Sequence, residues 1–173
     1  MTKKIVLIYA CVAFLAISSC KKDSPQTSDV SVYLQDAPAS GYEKIKIEIK
    51  GVSIYSESSG SWVSLTVNNG VFDLLTLDSL HQAFLGKIKI KGGDISQLVV
   101  VVGNQNTVMV SGINYPLVLD ASDLDKLKLK ISNNLSGNSN YKLTIDFKAS
   151  ESIDSNGGVY KLKASLKISV KEI

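Results

Sequence analysis

The sequence predicts an all-β protein, an antiparallel two-sheet β-sandwich of about nine or ten strands. Three observations carry that prediction. From Val30 onward apolar residues recur with period two, which puts one face of each segment in a core and the other in solvent. Gly, Asn and Ser cluster between those segments, where tight hairpins need residues that tolerate positive φ. No long window carries the apolar stripe of an amphipathic helix.

The segments follow in chain order. Val30, Val32 and Leu34 alternate with Ser31, Tyr33 and Gln35, and Ile45, Ile47 and Ile49 with Lys44, Lys46, Glu48 and Lys50. Val63, Leu65 and Val67 form the next run, and Ile88 and Ile90 alternate with Lys87, Lys89 and Lys91. Leu98–Val102, LVVVV, is apolar at every position and predicts a central strand buried on both faces. Leu127, Leu129 and Ile131 are set between lysines; Leu143, Ile145 and Phe147 follow, and a run from Tyr160 to Val170 closes the chain. Ser59-Gly60, Asn69-Gly70, Gly92-Gly93, Ser111-Gly112 and Asn156-Gly157-Gly158 mark the turns. Short helical turns are expected near Leu77–Phe84 and Ala121–Leu124. With no composition break and no internal repeat, residues 30–173 read as one domain, a size that suits a single core.

Residues 1–19 read as a signal segment. Lys3 and Lys4 precede an apolar run from Ile5 to Ile17, whose length as a helix, about 20 Å, falls short of a bilayer's hydrocarbon core. The ending Ile17-Ser18-Ser19-Cys20 resembles the bacterial lipobox, which implies cleavage before Cys20 and lipidation of its thiol. Two or more acyl chains would hold Cys20 stably in a membrane. Residues 20–29 then form a lipidated polar tether. The Cys-Lys-Lys-Asp start resembles lipoproteins of Bacteroidetes, and implies the outer membrane, with display at the cell surface open.

Composition narrows the function. The basic residues number 19 and all are lysine; against 16 acids the chain is +3, and +1 without Lys3 and Lys4. A near-neutral domain without arginine gives no expectation of nucleic-acid binding. The two cysteines, Cys11 and Cys20, lie near the N-terminus, and there is one histidine, His81. A disulfide framework, a Cys/His zinc site and a Cys–His nucleophile are therefore excluded beyond Cys20, and no cofactor is expected.

Several phrases line up with one family. Val32-Tyr33-Leu34-Gln35-Asp36-Ala37-Pro38 resembles its opening strand and D-A-P turn, and Lys44 to Ile54 its second strand. Gly60 to Leu65, Phe72 to Leu77, Leu143 to Phe147 and Tyr160 to Lys163 resemble later ones. Gly92 to Leu98 resembles its entry to the central strand, with Ile95 where the family usually has tyrosine. The chain is similar to the family called domain of unknown function 4382, found on secreted and lipid-anchored bacterial proteins. The resemblance implies a prealbumin-like β-sandwich, and it implies no activity.

The candidate sites are carboxylates. Asp36 is either a cation or binding-surface ligand or, preferred, the cap of an Asx turn that Pro38 extends. Asp146 falls mid-strand, where a cross-strand lysine is the simpler partner. Asp120, Asp123 and Asp125 partly match a calcium loop but lack its interior glycine and trailing glutamate, so a solvated turn is preferred. The lysine rows suit an anionic glycan or phosphate, or serve to block edge-to-edge pairing. Trp62, Tyr33, Tyr55 and Tyr115 suit sugar stacking or partial burial. The leading expectation is a lipid-anchored, non-catalytic binding or structural protein, its membrane contact through Cys20 and its ligand a glycan or protein. The alternative is a surface-exposed hydrolase using carboxylates such as Asp36 and Asp146.

Overall fold

A computed structural model describes residues 26–68, 70–119, 127–163 and 165–173. Thirteen strands appear among them, in chain order: β1 (Thr27–Gln35), β2 (Lys44–Ser56), β3 (Ser61–Thr66), β4 (Val71–Asp73), β5 (Ala83–Lys91), β6 (Gly93–Val102), β7 (Thr107–Val110), β8 (Ile113–Val118), β9 (Lys128–Leu135), β10 (Asn140–Asp146), β11 (Ile153–Asn156), β12 (Val159–Leu162) and β13 (Lys167–Glu172). One helical turn, α1 (Ala149–Ser152), follows β10. The strands form two sheets. The smaller has the order β13-β10-β1-β5; the larger runs β11-β12-β8-β7-β2-β6-β9, with β3 and β4 both pairing with β2. The fold is an all-β sandwich.

Period-two patterning explains the core. Val30, Val32 and Leu34 of β1 with Leu143 and Ile145 of β10 bury one face of the small sheet. Ile45, Ile47, Ile49, Val52 and Ile54 of β2, with Leu98 and Val100 of β6, face them from the large sheet, and all join one core cluster. Each such side chain removed from water contributes about 1.5–3 kcal/mol.

Four expectations are corrected. The sheets are mixed, because β1 pairs with β10, and β12 with β8, in parallel. The strands exceed nine or ten because the expected closing run divides, with β12 in the large sheet and β13 in the small one, and because the short strands β4, β7, β8 and β11 lie outside the alternating runs. Leu98–Val102 is indeed interior, between β2 and β9, yet only one of its faces is buried, and Val101 is 43% exposed. The sandwich has no third layer to cover the outer valines. The helical turn expected at Leu77–Phe84 falls instead at Leu74–Thr76, where the Asp73 side chain accepts the Leu75 N–H; Ala83 and Phe84 already belong to β5.

The turns sort into two kinds. Ser111-Gly112 and Gly157-Gly158 close hairpins with both residues at positive φ, as a two-residue loop between twisted strands requires. Gly92-Gly93 instead marks a corner: β5 belongs to the small sheet and β6 to the large one. β1 begins at Thr27, so the first strand starts three residues before the alternation became legible at Val30.

Candidate functional site

Parallel pairing of β1 and β10 brings two of the candidate carboxylates together. Gln35 and Asp146 are register partners at the C-terminal ends of these strands. The Phe147 N–H donates to the Gln35 carbonyl at 3.0 Å, which extends the ladder by one step. The chain then turns through Lys148, in a left-handed conformation at φ 48°, into α1. Asp36, the residue after Gln35, reaches this turn: its Oδ1 accepts the Ala149 N–H at 2.8 Å. Asp146 Oδ1 accepts the Lys148 N–H at 3.3 Å, and its Oδ2 lies 3.5 Å from the Gln35 Nε2 donor. Gln82 Nε2 donates in turn to Gln35 Oε1. Lys167 is the register partner of Asp146 on β13, and with Gln35, Asp146 and Ser169 it lines a cleft of about 140 Å³.

Asp36 is 3% exposed, and its Oδ2 is buried without a hydrogen-bond partner. Burial pushes its carboxyl above the ordinary aspartate range, and the charge of Asp146 adds to the rise. The backbone N–H groups of Ala149, Ala37 and Lys148 pull the other way without compensating. The capping role foreseen for Asp36 is therefore largely long-range, tying the end of β1 to a turn 113 residues later. The mid-strand position foreseen for Asp146 is corrected: it is the last residue of β10. Both carboxylates hold backbone donors of one turn.

A second buried carboxylate was not foreseen. Glu48 lies on the lysine-bearing face of β2 and is nonetheless buried. The Gly103–Asn106 loop covers it. Glu48 Oε2 accepts the N–H groups of Asn104 and Gln105, each at 3.0 Å, while Oε1 pairs with Lys50. Asn106 completes the clamp: its Oδ1 accepts the Glu48 N–H at 2.8 Å and its Nδ2 donates to the Gly103 carbonyl at 2.8 Å. The Lys50 ammonium, then the loop N–H groups, hold the Glu48 carboxyl below the usual glutamate range. An open cleft of about 600 Å³ adjoins this loop, bordered by Lys50, Asn106, Pro116 and Leu117 among others. The sequence signal was the single acid in a row of outward lysines.

The remaining candidates that fall among the described residues do not converge. Asp120, Asp123, Asp125 and Cys20 lie outside the described residues. The aromatic residues separate into Tyr55–Trp62 on the large sheet, Tyr33–Phe84 on the small sheet and Tyr115–Tyr160 between β8 and β12, with ring centroids 5.3, 5.3 and 5.1 Å apart. His81 meets Asp78 at 3.1 Å, and Asp78 Oδ1 also accepts the Leu80 and His81 N–H groups, which makes this a capped surface loop. Among the described residues no group of three or more His, Cys, Asp or Glu side chains is placed to hold a metal ion.

The family model described as "Domain of unknown function (DUF4382)" matches residues 27–164, from the first residue of β1 to beyond β12. The chain belongs to the DUF4382 family. No curated protein and no solved structure matches it. In this DUF4382 chain the D-A-P turn thus opens with the buried carboxylate that fastens β1 to α1.

Proposed function

We propose that this DUF4382 protein is a lipid-anchored, non-catalytic binding or structural domain of the bacterial outer membrane, carried on Cys20. The observation that supports a non-catalytic reading is the engagement of Asp36 and Asp146. Both accept backbone N–H groups of the 148–149 turn, and Asp36 is out of reach of a solute. A catalytic acid or base needs a proton partner in its substrate at hydrogen-bonding distance. The observation that supports anchoring is Ile17-Ser18-Ser19-Cys20 after a basic and apolar leader. Replacing Cys20 with serine should abolish metabolic labelling by a clickable fatty acid and move the protein out of the detergent-rich phase. An unmodified mature N-terminus elsewhere in the wild-type chain, found by mass spectrometry, would sink the anchoring reading.

One observation favours the hydrolase alternative: Asp36 has a raised pKa and a second carboxylate, Asp146, beside it. The Asp36→Asn variant discriminates. A hydrolase loses activity on its substrate with its melting temperature unchanged, whereas a structural tie changes its stability and the pH dependence of that stability.

A further inference from the structure

The outer face of the four-stranded sheet is basic. Its strand registers align Lys171, Lys142, Ser31 and Lys87 in one row across β13, β10, β1 and β5. The same face carries Lys89 and Lys91 on β5 and Lys167 on β13. Among the described strand residues only Asp29 and Asp146 oppose these six lysines there, so they leave this face at +4 where the whole chain is +3. Asp29 pairs with Lys87 at 3.1 Å, and Lys142 lies 4.7 Å from the centre of the Tyr33 ring. Among the described residues, Lys89, Lys167 and Lys171 have no ion-pair partner.

Blocking of edge pairing accounts for the five lysines on the edge strands β5 and β13 but not for Lys142. Lys142 sits on β10, an interior strand, and directly opposes Lys171. Like charges in register destabilise a sheet, and an interior strand has no free edge to protect. Apolar side chains flank the lysines. Phe84, packed on Tyr33, is 57% exposed, and Leu80, in the loop leading to β5, is 86% exposed. Exposed apolar residues beside lysines suit the headgroup region of a bilayer. The position along the chain agrees. Lys87, Lys89 and Lys91 pair with Ser31, Asp29 and Thr27, at the start of β1. From Cys20 to Thr27 an extended chain spans at most about 25 Å.

We propose that this face docks on a bilayer bearing anionic phosphate headgroups, with the lysines over the phosphates and Phe84 and Leu80 at the interface. The placement near a membrane rests on the anchoring reading above; the affinity of the face for anionic lipid does not. Its test therefore uses the chain from Lys21 onward, which lacks the lipid-bearing residue and contains every described strand. That chain should co-sediment with phosphatidylcholine vesicles containing phosphatidylglycerol and not with phosphatidylcholine alone, and salt should release it. Replacing Lys89 and Lys171 together with glutamine should weaken binding on the order of twentyfold, about fivefold per lysine. The melting temperature should hold or rise, because the repulsion at Lys142 is relieved. Lys44→Gln with Lys46→Gln, on the other sheet, makes the same change in net charge and should leave binding within about twofold if position matters.

Orientation gives a second readout. Trp62, the one tryptophan, is on β3 of the other sheet and should escape quenching by brominated lipid. Phe84→Trp in a Trp62→Phe background should be quenched. The proposal is overturned by equal binding to neutral and anionic vesicles, by no binding to either, by equal loss in the two lysine pairs, by quenching of Trp62, or by capture on an acidic polysaccharide without vesicle binding. Loss of fatty-acid labelling from wild-type protein would instead remove the anchor and leave the vesicle result standing.

Discussion

Asp36 shows how one side chain can be legible in kind and not in reach. An aspartate before Ala-Pro at the end of an alternating run reads as a cap, and it does accept a backbone N–H. The donor belongs to Ala149, however, and no local rule could name it, because only the parallel register of β1 and β10 brings the two together. The same pairing buries Asp36 and leaves Oδ2 unpartnered. Its folded-state pKa is raised above the ordinary 3.8, first by desolvation. An acid whose folded pKa is raised favours folding below its unfolded pKa, and that contribution is lost as pH rises through the folded value. Asp36→Asn is neutral at every pH and keeps an oxygen for Ala149. The stability of the asparagine variant relative to wild type should therefore improve as pH rises from below 3.8 to neutrality, as read by melting temperatures across that range. A difference that stays flat, or runs the other way, would show that Asp36 is ionised at no cost. Asp36→Ala removes the acceptor as well and should cost roughly 0.5–2 kcal/mol, as lost caps do. Millimolar calcium should not raise the melting temperature, since a ligand stabilises only the state it binds.

Among the elements, β6 and the loop after it carry the clearest lessons. Five consecutive apolar residues cannot report how many of a strand's faces are covered; that depends on the number of layers, which no single strand encodes. β6 is flanked by β2 and β9 within its sheet, yet its outer valines meet no second sheet. Val100, fully in the core, should cost about 1–3 kcal/mol when truncated to alanine, through lost transfer energy and the cavity left behind. The neighbouring Val101→Ala should stay within about 0.5 kcal/mol. Equal costs by denaturant titration would contradict the one-sided burial. The loop that follows was hidden for a related reason. Glu48 reads as an outward residue because its neighbours Lys46 and Lys50 are outward, and only folding brings Gly103–Asn106 over it. A Cβ added at Gly103 would strike the Glu48 carboxylate. Gly103→Ala should therefore destabilise the protein by about 1–3 kcal/mol, the usual cost of overpacking, although this glycine has no positive φ. If instead the alanine variant gained stability from a less flexible unfolded chain, the clamp would be looser than its hydrogen bonds indicate.

At the scale of the whole molecule, the fold class was readable and the topology was not. Period-two alternation is the same for a strand with parallel or antiparallel neighbours, so Val30–Leu34 announced a half-buried strand without naming β5 and β10 as its partners. The closing run from Tyr160 to Val170 looked continuous because alternation does not mark where a chain leaves one sheet for the other. The small sheet is consequently built from segments at both ends of the chain: β1 lies between β10 and β5, and β13 completes the edge beyond β10. β13 supplies Ile168 and Val170 to the core surface and gives β10 its antiparallel register from Tyr141↔Glu172 to Asp146↔Lys167. Ending the chain before Leu166 would leave β10 with one neighbour and an open edge, and would uncover the apolar surface that Ile168 and Val170 shield. An exposed, flat, apolar edge is a template for association. The shortened chain should lose its cooperative thermal transition or elute as aggregate. Because pairings between β1, β10 and β13 close long loops before they gain contacts, the intact protein should refold in milliseconds to seconds or more slowly, not microseconds. A truncated chain that stays monomeric and melts cooperatively within a few degrees of the intact one would mean that β1, β10 and β5 form a sufficient sheet, with β13 an addition to it.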